Sequence, residues 1–224
     1  MKKLLRKELT LCTNPQVIIF CLLSVMVIIP NWPSIIAFVY AFSGITTIFP
    51  RALADQDLQY TAMLPIRKKD VVKGKTLLIV MLELASILIS IPCAVAKILY
   101  IDPMMIGTDP STANYTLAVQ PTMGAYGFAL LAFAVFNVVI LPWYYKNPAK
   151  VNWPPFISMM IGLFVLGLGA GAEAIVNLSL NYDHSTMVFK LTEGGILLGG
   201  ILIYILLTAL GEEKAEKNFD KVDL

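Results

Sequence analysis

Histidine and cysteine are nearly missing from this sequence: His184 stands alone, and the cysteines are Cys12, Cys21 and Cys93. One imidazole, with no cysteine or carboxylate cluster at ligand spacing, does not make a metal centre, so none is expected. Three cysteines, odd in number and lying in or near apolar runs, exclude an extracellular disulfide framework. A phosphate-cradling glycine loop is also missing, because Lys73-Gly74-Lys75 lacks the preceding glycine and strand context that ATP binding would need. No nucleophile–base pair suggests an enzyme. The basic start is followed by apolar residues but by no small-residue cleavage site, so no signal peptide is expected. The sequons at Asn114 and Asn177 matter only in a eukaryotic secretory pathway, and such triplets arise often by chance. Charge itself is scarce, at 14% of residues against 58% hydrophobic.

What is present is long apolar runs separated by short polar stretches. A soluble domain of this size cannot bury runs such as 113–141 or 155–178, whereas a bilayer requires roughly 20 apolar residues per helix. The sequence therefore predicts an all-α integral membrane protein forming one transmembrane domain over 1–224. The first apolar block, 17–49, is broken by Pro30-Asn31-Trp32-Pro33, where two prolines remove backbone donors and force a turn. It reads as a hairpin of two spans. Later spans are placed at 76–96, 123–141, 155–178 and 194–210, each of a length to cross about 30 Å of hydrocarbon.

Charge favours six spans over five. With six spans and both termini cytosolic, Lys2, Lys3, Arg6, Lys7, Arg51, Arg67, Lys68, Lys69, Lys73, Lys75, Lys146, Lys150, Lys214, Lys217 and Lys221 lie inside, and only Lys97 and Lys190 outside. A single helix over 17–49 would move the amino-terminal four outside and weaken the positive-inside bias. The hairpin arms are short, so the first helix borrows from 9–16 or the pair is partly re-entrant. Trp32 at an outer turn, and Trp143 and Trp153 at an inner one, suit interfacial aromatic belts.

Residues 1–14 set Leu4, Leu5, Leu9 and Leu11 on one stripe with Lys2, Lys3, Arg6 and Lys7 mostly opposite, the pattern of an amphipathic elbow helix lying in the interface. The loop 50–75 is the longest cytosolic connection. Its first part is a helix-compatible stretch bounded by Pro50 and Pro65, with Leu53, Ala54, Leu58, Thr61 and Ala62 on one face and Asp55, Asp57 and Gln59 at its sides. Too short to span and too apolar to be merely solvated, it points to a protein partner, while its acidic groups disfavour the negative inner leaflet. The basic run from Arg67 to Lys75 then fixes orientation. The tail, 211–224, alternates acidic and basic residues and reads as a cytosolic extension of the last span.

The succession Asp55, Asp57, Tyr60, Leu64-Pro65, Arg67-Lys68, Val71, Lys73 and Lys75 resembles the cytosolic signature of ABC-2 type exporter permeases. More narrowly, it is similar to a small bacterial subgroup that includes permeases exporting phenol-soluble modulins and other peptides. The opening Lys2, Arg6-Lys7-Glu8-Leu9 is similar too; Ile66 and Arg67 depart from the pattern, which often has a Ser or Thr there. The resemblance implies a multi-pass protein of the bacterial cell membrane, with six spans per protomer and two permeases per transporter, either a homodimer or a pair of paralogues. It further implies separate ATPase subunits that bind ATP and Mg, so that this chain holds no cofactor. Asp55, Asp57, Leu58, Tyr60, Leu64 and Pro65 would then form a coupling helix between spans two and three that contacts the ATPase. The implied cargo is an amphipathic or hydrophobic peptide or another hydrophobic compound; nucleic acid is not an expected partner.

Within the membrane, Glu83 lies about 12 Å past Lys75 at helical rise, so it should face the bundle interior as a substrate or proton site or as a structural hydrogen-bonding group. Glu173, near the outer end of span five, is a second pathway residue or an interfacial one. Gly167 and Gly171 in span five, and Gly195 and Gly199 in span six, form pairs four apart that predict packing of these two spans on each other, or on a second copy. Pro92 should kink span three. A rival reading makes the chain an ion-coupled secondary transporter or channel with Glu83 as its ion site.

Overall fold

The computed structural model describes residues 7–10, 14–63, 66–108, 113–147, 153–179 and 187–222. Of the described residues 88% are helical, and none is in a strand. Its elements are α1 (Pro15–Leu22) running on as a 3-10 helix (Leu23–Ile28), α2 (Ile36–Thr46), α3 (Ile48–Ala54), α4 (Asp57–Ala62) and α5 (Lys68–Ala96). A π turn (Lys97–Ile101), α6 (Asp102–Thr108), α7 (Ala113–Ala118), α8 (Met123–Lys146), α9 (Trp153–Ser179) and α10 (Met187–Phe219) follow.

Five helical stretches are long and apolar enough to cross a membrane: Ile36–Ala54, Lys68–Thr108, Met123–Lys146, Trp153–Val176 and Met187–Phe219. The protein is thus an all-helical, multi-pass membrane protein. The apolar stretch Pro15–Ile28 is shorter. Its second half is wound as 3-10 helix, which brings it to about 24 Å, less than the roughly 30 Å of hydrocarbon. The chain reverses after it through Asn31, at φ 54°. That left-handed conformation suits asparagine far better than a β-branched residue. The reversal is held from outside by Lys97, whose buried ammonium donates to the Trp32 carbonyl at 3.1 Å and the Val119 carbonyl at 3.5 Å.

α8 is the central element, with α10 on one side and α9 on another. Its sequence explains the closeness. Gly127 and Gly200 meet with no side chain between them: a Cβ on Gly200 would lie 2.5 Å from the Gly127 carbonyl oxygen, and one on Gly127 would lie 2.6 Å from that of Ile196. Gly211 sits against Val138 and Asn137 in the same manner. The expected pairing of the last two spans through Gly167, Gly171, Gly195 and Gly199 is therefore corrected. α8 stands between them, and a Cβ at any of those four glycines would meet nothing within 4 Å. The small residues that matter are the ones opposite the Gly/Ala-rich first half of α8. α2 closes the core from its own side through Phe38 and Phe42, whose rings meet Phe133 at 6.3 and 4.7 Å.

Two further boundaries differ from the sequence reading. The stretch between Pro50 and Pro65 is two helices, because Gln56 takes a left-handed conformation at φ 51° and turns α4 away from α3. Leu53 and Ala54 are consequently exposed, while Leu58 and Thr61 are buried. The tail does not leave the bundle: α10 continues unbroken to Phe219, which is buried against Tyr145 with ring centroids 4.9 Å apart. Asn218 Nδ2 donates to the Pro142 carbonyl at 2.9 Å and Lys68 Nζ to that of Val222 at 2.7 Å.

Candidate functional site

At the end of the bundle where α5 begins, three segments far apart in sequence converge on one buried group of charges. Lys75, in the third turn of α5, is fully buried. Its ammonium lies 2.9 Å from Asp57 Oδ2 and 3.2 Å from Glu8 Oε2. Lys7 closes the group at 2.5 Å from Asp57 Oδ1 and 3.1 Å from Glu8 Oε1, and also donates to the Thr61 hydroxyl. Two ammonium and two carboxylate groups thus neutralise one another away from water. Burial pushes the Asp57 carboxyl up, but Lys75 and Lys7 outweigh it and hold the group below its ordinary value. The Tyr144 ring, 5.8 Å from Lys75 Nζ, stands beneath, and with Phe49 and Tyr145 it forms the aromatic base of the bundle. α4 is thereby fastened to α5 and to the amino-terminal segment.

The predicted coupling residues separate by orientation. Asp57 and Leu58 face the bundle and are buried; Asp55 is exposed and paired with Arg51 at 2.7 Å. Tyr60 is 55% exposed and Met63 84% exposed, so the outer face of the segment carries large apolar groups. Leu64 and Pro65 lie outside the described residues. Of the predicted elbow, 7–10 and Asn14 are described; 7–10 are helical, and Glu8 among them is buried against Lys75.

Deeper in the bundle, Glu83 is fully buried and joins three helices. Its Oε2 accepts from Tyr204 of α10 at 2.6 Å and from Asn137 Nδ2 of α8 at 3.0 Å, and the same Asn137 nitrogen lies 3.4 Å from the Thr208 hydroxyl. Glu83 Oε1 and Asn137 Oδ1 have no hydrogen-bond partner. Tyr204 also lines an apolar cleft of about 620 Å³ between α5, α8 and α10, walled by Leu84, Ile87, Ile91, Tyr126 and Ile201. At its outer end stands Thr122, the N-cap of α8, whose hydroxyl donates to Glu173. Glu193 accepts from the Gly124 amide beside it. Two carboxylates at the start of α8 complement the positive end of its dipole, which gives Glu173 a capping role.

The sequence reading named Glu83, Glu173, Asp57 and Leu58, and the fold places each inside the protein. It did not single out Lys75, Glu8, Asn137, Tyr204 or Glu193. Asn137 carried a signal, since a primary amide in the middle of an apolar span requires a partner of its own. Lys75 carried none, because a lysine at the end of a basic run ordinarily faces water. Comparison with protein-family models, with curated proteins and with solved structures gave no match.

Proposed function

We propose that this chain is the membrane permease of an ABC exporter, working as one of two copies with separate ATPase subunits that bind and hydrolyse ATP. Its cargo is an amphipathic or hydrophobic peptide or another hydrophobic compound, moved out across a bacterial cell membrane. In this reading the 15–28 stretch is the first of six spans, and both termini are cytosolic.

The observation that supports it best is the fastening of α4. A short cytosolic helix that presents Tyr60 and Met63 outward, while Asp57 ties its other side to Lys75 of the longest membrane helix, can pass a push from a partner into the bundle. A loosely held loop would absorb the same push. Exposed aromatic and methionine side chains are the residues that anchor protein interfaces. Asp57 and Leu58 act in this scheme by holding the helix, and Asp55, Tyr60 and Met63 by touching the partner. The rival ion-coupled carrier draws on the unpartnered Oε1 of Glu83.

The test is co-expression and reconstitution in vesicles with cassette ATPases of the same cell. Tyr60→Asp and Met63→Asp should leave insertion intact while co-purification with the ATPase and stimulated ATP hydrolysis both fall. Unchanged association, or transport that follows an ion gradient without the ATPase, overturns the reading.

A further inference from the structure

A second cavity, of about 420 Å³, opens between α5 and α10 where these helices approach the cytosol. Lys73 and Thr76 of α5, and Thr208 and Glu212 of α10, give it its polar lining. Thr76 is 4% exposed and its hydroxyl has no partner, an arrangement a protein rarely leaves unfilled. The charges around the mouth balance: Lys69 and Lys73 lie along α5, Glu212 and Glu216 along α10, and Glu216 stands a loose 3.9 Å from each lysine. A neutral set holding both signs suits a ligand that itself carries both.

The cavity continues outward, because Tyr204 and Ile205 line both it and the apolar cleft above. Half of a roughly 30 Å hydrocarbon core spans about ten helical residues, so a chain anchored beside Thr76 runs to the level of Ser86. That is past Leu84, where the cleft begins. Within the cleft the Thr122 and Tyr204 hydroxyls already donate to Glu173 and Glu83. The Tyr126 hydroxyl accepts from Ser90 at 3.3 Å, and the rest of the lining offers dispersion contact, which fits hydrocarbon better than the polar face of a peptide.

We propose that this groove holds one aminophospholipid of the cytosolic leaflet. Its phosphate meets Lys73 and the Thr76 hydroxyl, its ammonium meets Glu212, and one acyl chain passes Tyr204 into the cleft. The inference does not depend on an ATPase partner.

The full chain, extracted in mild detergent, is incubated with vesicles of phosphatidylethanolamine and phosphatidylglycerol in equal amounts, and bound lipid is counted by native mass spectrometry. One phosphatidylethanolamine per protomer should be retained in preference to phosphatidylglycerol. Glu212→Gln should lower that preference roughly three- to fivefold, the scale of a partly exposed charge pair. Thr76→Val should lower retention of both lipids, and each variant should melt as the parent does. Equal retention of the two lipids, no retained lipid, or a preference that survives Glu212→Gln overturns the proposal. So does displacement of the lipid by a short zwitterionic peptide, which would reassign the groove to peptide.

Discussion

Lys75 Nζ lies 2.9 Å from Asp57 Oδ2, and both side chains are buried, although one belongs to a membrane helix and the other to the short helix α4. A buried pair of this kind adds little over a well-packed apolar pair, but removing one partner leaves an uncompensated charge. Lys75→Met therefore leaves the Asp57 and Glu8 carboxylates with Lys7 alone, one buried negative charge uncompensated, and should cost about 3–5 kcal/mol. Denaturant melts of the purified protein check the value, and adding Asp57→Asn to Lys75→Met should recover part of the loss. A double variant no better than the single one would mean that the two groups are not coupled.

The same group predicts an acid limb. The native Asp57 carboxyl is held below its ordinary 3.8 by Lys75 and Lys7 against the opposing effect of burial. A carboxyl with a lowered native pKa contributes stability that is complete above the unfolded value. The contribution erodes as pH drops below that value and is gone once pH has fallen through the native one. Melting temperature should thus fall as pH drops below about 4, and Asp57→Asn should flatten that slope while lowering the plateau. An unaltered slope in the variant would assign the acid limb to other carboxylates.

Adjacent glycines in α10 should respond oppositely. A Cβ at Gly200 would lie 2.5 Å from the Gly127 carbonyl oxygen, in backbone that cannot yield without moving α8. Overpacking of this kind costs about 1–3 kcal/mol, so Gly200→Ala should destabilise by that amount. Gly199 has nothing within 4 Å of the same atom. Gly199→Ala should be neutral, or stabilising by up to about 1 kcal/mol from helix propensity. Thermal melts of both variants decide it.

These glycines also show what could be read from sequence and what could not. Runs of apolar residues are a one-dimensional signal, because each helix must satisfy its own backbone in lipid. The five long spans were therefore legible, as was the reversal at Pro30–Pro33, while the sixth expected span, Pro15–Ile28, is shorter than a crossing needs. Which faces of the helices meet is a two-body property: Gly195-x-x-x-Gly199 and Gly200 are equally good small-residue surfaces until the position of α8 is known. Glu83 was legible because a carboxyl at that depth must turn inward, yet its partners Asn137 and Tyr204 lie 54 and 121 residues away in sequence. The charge of Lys75 was visible but not its burial, since nothing local says that Glu8 and Asp57 will be brought against it.

The Glu83–Tyr204 bond separates the two functional readings. Were Glu83 a tie between α5, α8 and α10, Tyr204→Phe and Glu83→Gln would each lower stability by about 1–3 kcal/mol. The two changes act on the same bond, the first by removing its donor and the second by exchanging its carboxyl acceptor for an amide, so the double variant should cost less than the sum of the singles by about 1 kcal/mol or more. Transport per folded protomer should stay near that of the parent, because the bond holds helices together without touching cargo. An ion site makes the opposite forecast: Glu83→Gln abolishes gradient-driven transport at unchanged melting temperature, and Tyr204→Phe alters ion dependence with no energetic coupling in the stability cycle. Melting and transport measured on the same vesicle preparation distinguish the cases, since a tie moves the first quantity and an ion site the second.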